Sequence, residues 1–290
     1  MNKHIKTGFI GINKPRGISS AFVVNKIKYL LRSNGVKLKL GHMGTLDVDA
    51  NGVLVVAIGG ATKLFDLFLQ KQKTYQTVFK FGYSTTTDDN TGEIVNTGGF
   101  VPSEKQILDA IKILERKTEQ VPPQYSANKV GGVKAYARAR RGEKIEPKSK
   151  SIQIYSFKLL EKTDDLSYKF EIECSSGTYI RALCRDMASI IGTYGITSAI
   201  TRTICSVFNI NNCLNMDGLN FDNIAGNIKN PDESLPFIGK LTLEKEQITK
   251  LKNGLLLDFD GKDGLYFIEN IMVARVNNHK IRQDIYLGEV

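Results

Sequence analysis

Gly41-His42-Met43-Gly44-Thr45-Leu46-Asp47 runs on through Ala50, Asn51 and Gly52 into Val53-Leu54-Val55-Val56-Ala57-Ile58-Gly59. It is a glycine-rich loop that empties into a short apolar run. That run is rich in β-branched residues and suits a strand buried on both faces. Gly41, Gly44 and Gly52 allow backbone conformations or close approaches that a Cβ would block. A loop anchored on a rigid strand is a usual place for a reacting group, and this one carries a carboxylate, Asp47, at the strand's mouth. Asp47 is the first candidate for a reacting group. The plainer alternative is an aspartate that caps a turn.

The flanking sequence supplies layers for that strand. Gly8 to Asn13 predicts a strand, stopped by the turn signal Lys14-Pro15-Arg16-Gly17. Ser19 or Ser20 caps a helix to about Arg32, with Phe22, Val23, Ile27, Leu30 and Leu31 at helical spacing. Thr62 to Leu69 predicts a short helix, and Thr74 to Tyr83 a strand rich in aromatic and β-branched residues. A polar loop, Ser84 to Asn90, leads to a return strand from Gly92. Ser103-Glu104-Lys105-Gln106 has the form of a capping box. It opens a helix whose apolar residues are Ile107, Leu108, Ile111 and Leu114.

After Pro122-Pro123 the composition turns polar, basic and aromatic as far as about Ser149, an excursion from the main sheet. Two strands (Ser151 to Leu160, Leu166 to Ser175), a helix to about Ile191 and a further strand from Thr197 follow. Phe221 to about Ile228 reads as a helix and Asn230 to Pro236 as a linker. The tail predicts a small domain, with a helix around Glu244 to Leu251 and strands near Leu265 to Val276 and Ile281 to Leu287.

Composition narrows the function. The chain has 290 residues, 41% hydrophobic and 24% charged, with 40 basic against 30 acidic side chains, a net +10. No apolar run approaches the ~18 residues of a membrane span, and the first residues show no signal-peptide core. The expected location is the cytoplasm. A net positive charge points to a polyanionic partner, because cations gain by releasing counterions from a phosphate backbone. Between Ser126 and Lys150 eight basic residues face only Glu143 and Glu146, a focus that fits nucleic acid. The four cysteines form no C-x-x-C pair and there are three histidines, so no metal spacing is visible. With no P-loop and no G-x-G-x-x-G, no cofactor and no metal are expected.

Several motifs in register carry a resemblance. Asn13-Lys14-Pro15, the Gly41-to-Leu54 stretch, Lys73-Thr74-Tyr75, Tyr125-Ser126-Ala127 with Lys129, and Ser176-Gly177-Thr178-Tyr179-Ile180-Arg181 resemble the bacterial tRNA pseudouridine-55 synthases of the TruB type. The likeness covers residues 8 to about 210 well and the tail loosely. Family members usually have proline directly after the aspartate, where this chain has Val48.

The resemblance implies isomerisation of one uridine in the TΨC loop of tRNA. The N1–C1′ bond breaks, the base turns while bound, and C5 bonds to C1′. Asp47 fits attack on C1′, attack on C6, or removal of a sugar proton. A hydrolytic glycosidase would bring two carboxylates and a water, whereas the strong motifs here offer one. By resemblance Arg181 is the ion-pair partner of Asp47. Tyr75 lies against the target base and moves the C5 proton, and Tyr179 packs on the base from the other side. His42 occupies the space left when the base is flipped out. Tyr125, Lys129, Arg138, Arg140 and Arg141 belong to an RNA clamp, and Lys14 is expected to add a phosphate contact.

The reading that follows is an α+β fold on a mixed, mostly antiparallel central sheet with flanking helices, like the pseudouridine synthases. Residues 1–235 form the catalytic domain, with an RNA-binding insertion at about 124–150, and residues 236–290 a small PUA-like domain. A monomer with no obligate protein partner is expected. The rivals are a non-catalytic RNA-binding or tRNA-folding protein, a related synthase acting on another RNA, and a carboxylate hydrolase that releases free uracil.

Overall fold

The structure is a computed structural model that describes residues 5–69, 72–125 and 148–288, with the backbone of 129–130 and 133–134. The fold is α+β, and its sheets are mixed and mostly antiparallel. The chain packs as two compact units. One is Met1–Val48, Gly52–Gln70 and Ser206–Val290; the other is Asp49–Asn51 and Lys71–Cys205.

In the first unit β1 (Gly8–Lys14) is followed by α1 (Ser20–Ser33), β2 (Leu40–His42) and β3 (Asn51–Ile58). β3 lies antiparallel to β1, with Gly8 opposite Ile58 and Lys14 opposite Gly52. β2 pairs with β3 as well, and Leu214–Asn215 lies parallel to β1. From Gly52 to Ile58 every residue of β3 is buried, as its unbroken apolar run predicts. The Ser19 side chain accepts from the Phe22 amide and starts α1. The helix buries Val23, Ile27 and Leu31 but leaves Phe22 53% exposed, so Phe22 does not belong to the apolar face expected for it.

The tail folds as a five-stranded sheet within the same unit, in the order Gly239–Leu241, Gly264–Ile268, Met272–Asn277, Lys280–Tyr286, Leu257–Asp258. Ile248 and Leu251 of the helix Lys245–Lys252 pack on Ile268, Met272, Val276 and Ile281. Residues 230–236 are not a linker. They hold a short helix, Pro231–Ser234, with Pro231, Ser234 and Leu235 buried. The Lys63 ammonium donates to the Tyr286 carbonyl at 2.6 Å. Gly60 sits so close to Leu287 that a Cβ there would lie 1.7 Å from the Leu287 carbonyl oxygen.

In the second unit β4 (Lys73–Phe81) runs between two antiparallel neighbours, Ser167–Cys174 and Gly195–Cys205. Ile154–Asp164 pairs outside Ser167–Cys174. Alternate residues of β4, from Lys73 to Phe81, are buried. The apolar ones meet the helices Glu104–Leu114 and Ile180–Ile191 through Phe79, Phe81, Phe170, Ile107, Leu114 and Leu183. Ser103 and Gln106 form the expected capping box. On that helix Ala110 is buried, and Leu108, expected on the apolar face, is 42% exposed.

Candidate catalytic site

In the first unit the Asp47 loop is fixed on both sides of the carboxylate. The Ser20 hydroxyl, in the first turn of α1, accepts from the Leu46 amide and donates to the Leu46 carbonyl, both at 2.9 Å. The Val48 carbonyl accepts from the Gly17 amide at 2.8 Å. Met43 donates to the Val55 carbonyl on β3 at 2.8 Å. Gly44 and Gly52 have φ of +128° and +105°, backbone that a side chain would strain. Leu46 and Met43 point inward, while Asp47 is exposed. Short hydrogen bonds thus fix the loop on both sides of Asp47, with Val48 directly after it.

Lys14 is the cation of this loop. Its side chain is fully buried, and its ammonium donates to the carbonyls of Pro15 (2.9 Å), Ile18 (2.8 Å) and Val48 (3.3 Å). A lysine bonded to three internal carbonyls braces the turn and the Asp47 loop. His42 lies on β2 opposite Val56 and is half-buried.

In the second unit Tyr75 lies opposite Arg202 across the ladder, and the two side chains are hydrogen-bonded. Arg202 is 1% exposed. Burial drives the Tyr75 hydroxyl well above the ordinary tyrosine range and outweighs the opposing pull of Arg202. Tyr75 is therefore a neutral phenol at neutral pH. Two residues earlier, Lys73 stands between Cys174 and Cys205 on the neighbouring strands. It donates to the Ser176 hydroxyl at 2.6 Å. Burial, then the charge of Arg202, lowers its pKa to about 8, while burial raises the Cys174 thiol to about 12.

Arg181 opens the helix Ile180–Ile191 from a buried position. Its guanidinium donates to the carbonyls of Thr87 (2.9 Å) and Tyr125 (3.1 Å) and pairs with Asp89 at 3.3 Å. Asp89 is itself held. Its other oxygen accepts from the hydroxyls of Thr87 and Thr91, both at 2.6 Å, and from the Thr91 amide at 2.9 Å. Beside it, burial raises the pKa of Asp88 against the pull of Arg185 and Arg181. The Gln120 amide clamps the Tyr179 backbone, accepting from its N–H at 2.8 Å and donating to its carbonyl at 3.1 Å. The start of this helix is thus pinned from both sides. Such full satisfaction is what holding a buried guanidinium requires.

The expected residues fall into two groups: Lys14, His42 and Asp47 in the first unit, and Tyr75, Tyr125, Tyr179 and Arg181 in the second. Lys129 is described by its backbone alone, and Arg138, Arg140 and Arg141 lie outside the described residues. The sequence reading missed Asp89, Gln120 and Arg202. The run Thr85-Thr86-Thr87-Asp88-Asp89-Asn90-Thr91 held a signal for the first, since Asp followed two residues later by Thr is a side-chain turn pattern. Among the described residues no three His, Cys, Asp or Glu gather as metal ligands, and no helix is long and apolar enough to cross a membrane.

Residues 30–180 match the TruB family pseudouridylate synthase (N terminal domain). The chain is 36% identical over 266 residues to tRNA pseudouridine synthase B of Clostridium kluyveri, covering 89% of this chain and 90% of that protein. It is 38% identical over 242 residues to tRNA pseudouridine synthase B of Rickettsia akari, covering 83% and 76%. Among solved structures it resembles a chain of a Cbf5-Nop10-Gar1 complex, with a TM-score of 0.70 over 99% of this chain and 88% of that one. At 20% identity this is a likeness of fold. With more than half of its length matched to one family and relatives of such identity along most of it, the chain belongs to the TruB family of pseudouridylate synthases.

Proposed function

We propose that this protein isomerises one uridine of the TΨC loop of tRNA to pseudouridine, with Asp47 as the reacting carboxylate. The observation that carries the reading is the Asp47 loop. An exposed aspartate stands between two backbone positions, Leu46 and Val48, that are each held by hydrogen bonds from elsewhere in the fold. A turn cap needs no such bracing, whereas a group that must meet one atom of a substrate does.

The roles follow from the chemistry. Asp47 attacks C1′ or C6, or takes a sugar proton; the N1–C1′ bond breaks and the freed base reattaches to C1′ through C5. Arg181, already set by Asp89, is assigned as its counter-ion on the family likeness. Tyr75, a neutral phenol, packs on the base. It takes the C5 proton only as it gives up its own, so it acts as a relay and not as a resident base. Tyr179 packs on the base from its other side, and His42 fills the space the base vacates.

Residues 124–150 form the clamp on the RNA backbone, within a catalytic domain of residues 1–235, and residues 236–290 are a PUA-like RNA-binding domain. The protein acts in the cytoplasm as a monomer, without a protein partner or a cofactor. The test is tritium release from a TΨC stem-loop labelled at C5 of uridine, wild type against Asp47→Asn, with no metal or nucleotide added. Release by wild type and a loss of at least ~1000-fold in the variant, about 4 kcal/mol of barrier, is expected. Binding without release by wild type would sink the proposal in favour of an RNA-binding protein.

A further inference from the structure

The two faces of α1 differ sharply in what they carry. Its inner face supplies the core with Val23, Ile27 and Leu31. The opposite stripe carries two large aromatics at i and i+7, Phe22 at 53% and Tyr29 at 69% exposure. Seven residues of helix place them about 10 Å apart on one line. Arg32 is exposed in the last turn, Lys28 is half-buried beside the stripe, and Lys37 and Lys39 are exposed in the loop that follows. Residues 1–46 contain nine Lys and Arg and no Asp or Glu; Asp47 is the first carboxylate of the chain. Neither aromatic is needed for the core.

From this we infer that the outer face of α1 is a second RNA-contact surface, which holds unstacked nucleotides of the tRNA outside the TΨC stem-loop. This rests on the reading of tRNA as substrate. Aromatics lined by cations are what single-stranded nucleotides ask for. Every base has a face to stack on, and every linkage has a phosphate to neutralise. A protein partner would ask for something else, because the centre of a protein interface is depleted of charge. Here Lys28 and Arg32 stand on the same helix at the Tyr29 end of the stripe, and no carboxylate shares that stretch of chain. The surface is also tied to the chemistry. Ser20, in the first turn of the same helix, clamps the Leu46 backbone next to Asp47. RNA gripped on α1 is thereby registered against the catalytic loop by a rigid element.

The test compares whole tRNA with the isolated TΨC stem-loop in equilibrium binding across a salt series. The proteins are wild type, Phe22→Ala/Tyr29→Ala, and Arg32→Gln/Lys37→Gln/Lys39→Gln. Both variants change exposed side chains, and melting curves check that the fold is kept. The aromatic variant is expected to bind whole tRNA at least about 10-fold more weakly, from the stacking lost with each base. The charge variant is expected to lose about two from the salt slope on whole tRNA. Both should bind and isomerise the stem-loop as wild type does. Whole-tRNA affinity and slope equal to wild type would overturn the inference and leave this face for a protein partner. Equal losses on both RNAs would overturn it too, since the effect would then lie in the site or the fold. A wild type that binds tRNA without isomerising it overturns the isomerase reading alone, because the binding contrast is read separately.

Discussion

Lysine serves two opposite purposes in this chain. On the surface it supplies the positive charge that the proposed RNA contacts draw on; inside, Lys14 and Lys73 are structural parts. Lys73 carries a cost with a sign that can be measured. Its ammonium is buried beside Arg202, and its pKa falls from 10.5 to about 8. Below pH 8 both folded and unfolded chains hold the proton, and the folded one bears the penalty of burying it. Between pH 8 and 10.5 the unfolded chain still binds the proton and the folded chain has shed it, so the penalty disappears as pH rises. The unfolding free energy of wild type should therefore gain on that of Lys73→Met across this window, by about 3 kcal/mol in total. Urea titrations at pH 7.5, 9 and 10.5 would show it. A difference that stays flat with pH would mean that the ammonium is solvated. Neither lysine's burial was legible in the sequence. A lysine beside Pro15 reads as exposed, and the Val48 carbonyl that helps bury Lys14 arrives 34 residues later. The same distance hid the partners of Arg181 and Tyr179, since Thr87 and Gln120 lie 94 and 59 residues away along the chain. Asp47 was legible because its support is local, written in the glycines and the apolar strand that follows.

Elements were read well where periodicity and caps agree, and less well where a large apolar residue stands one place off the stripe. In the helix Glu104–Leu114 the buried set is Ile107, Ala110, Ile111 and Leu114, the i, i+3, i+4, i+7 pattern. Leu108 lies off it and faces out, as Phe22 does on α1. Size suggested burial for both, and geometry decided against it. The segment at 230–236 read as a linker from Asn-Pro and its polar residues, yet the same residues suit a short capped helix with Pro at its first position. Contacts between distant elements leave even less trace. Gly60 shows nothing in sequence of the Leu287 backbone packed against it. Gly60→Ala forces that backbone away, since a carbonyl cannot rotate aside as a side chain can. The substitution should destabilise by about 1–3 kcal/mol, lowering Tm by roughly 2–10 °C for a protein of this size. It should also expose the last strand, Lys280–Tyr286, to faster amide exchange. Exchange and Tm unchanged from wild type would mean that the tail does not pack on Gly60.

For the whole molecule, a net +10 sets how binding responds to salt, and the two basic regions make separable contributions. Arg138→Gln/Arg140→Gln/Arg141→Gln in the insertion should flatten the salt slope of tRNA binding by about two to three. Unlike the α1 variants, it should do so on the stem-loop as well as on whole tRNA. An unchanged slope on the stem-loop would remove these arginines from the clamp. Affinity will thus rise and fall with the ionic medium, but the loop that carries Asp47 is insulated from it. Many loops that present a reactive group are knotted around a calcium or potassium ion, which can be chelated, exchanged or diluted away. Here the knot is tied by the Lys14 ammonium on three carbonyls, a cation fixed to the chain by covalent bonds and supplied in a ratio of one to one with every molecule made.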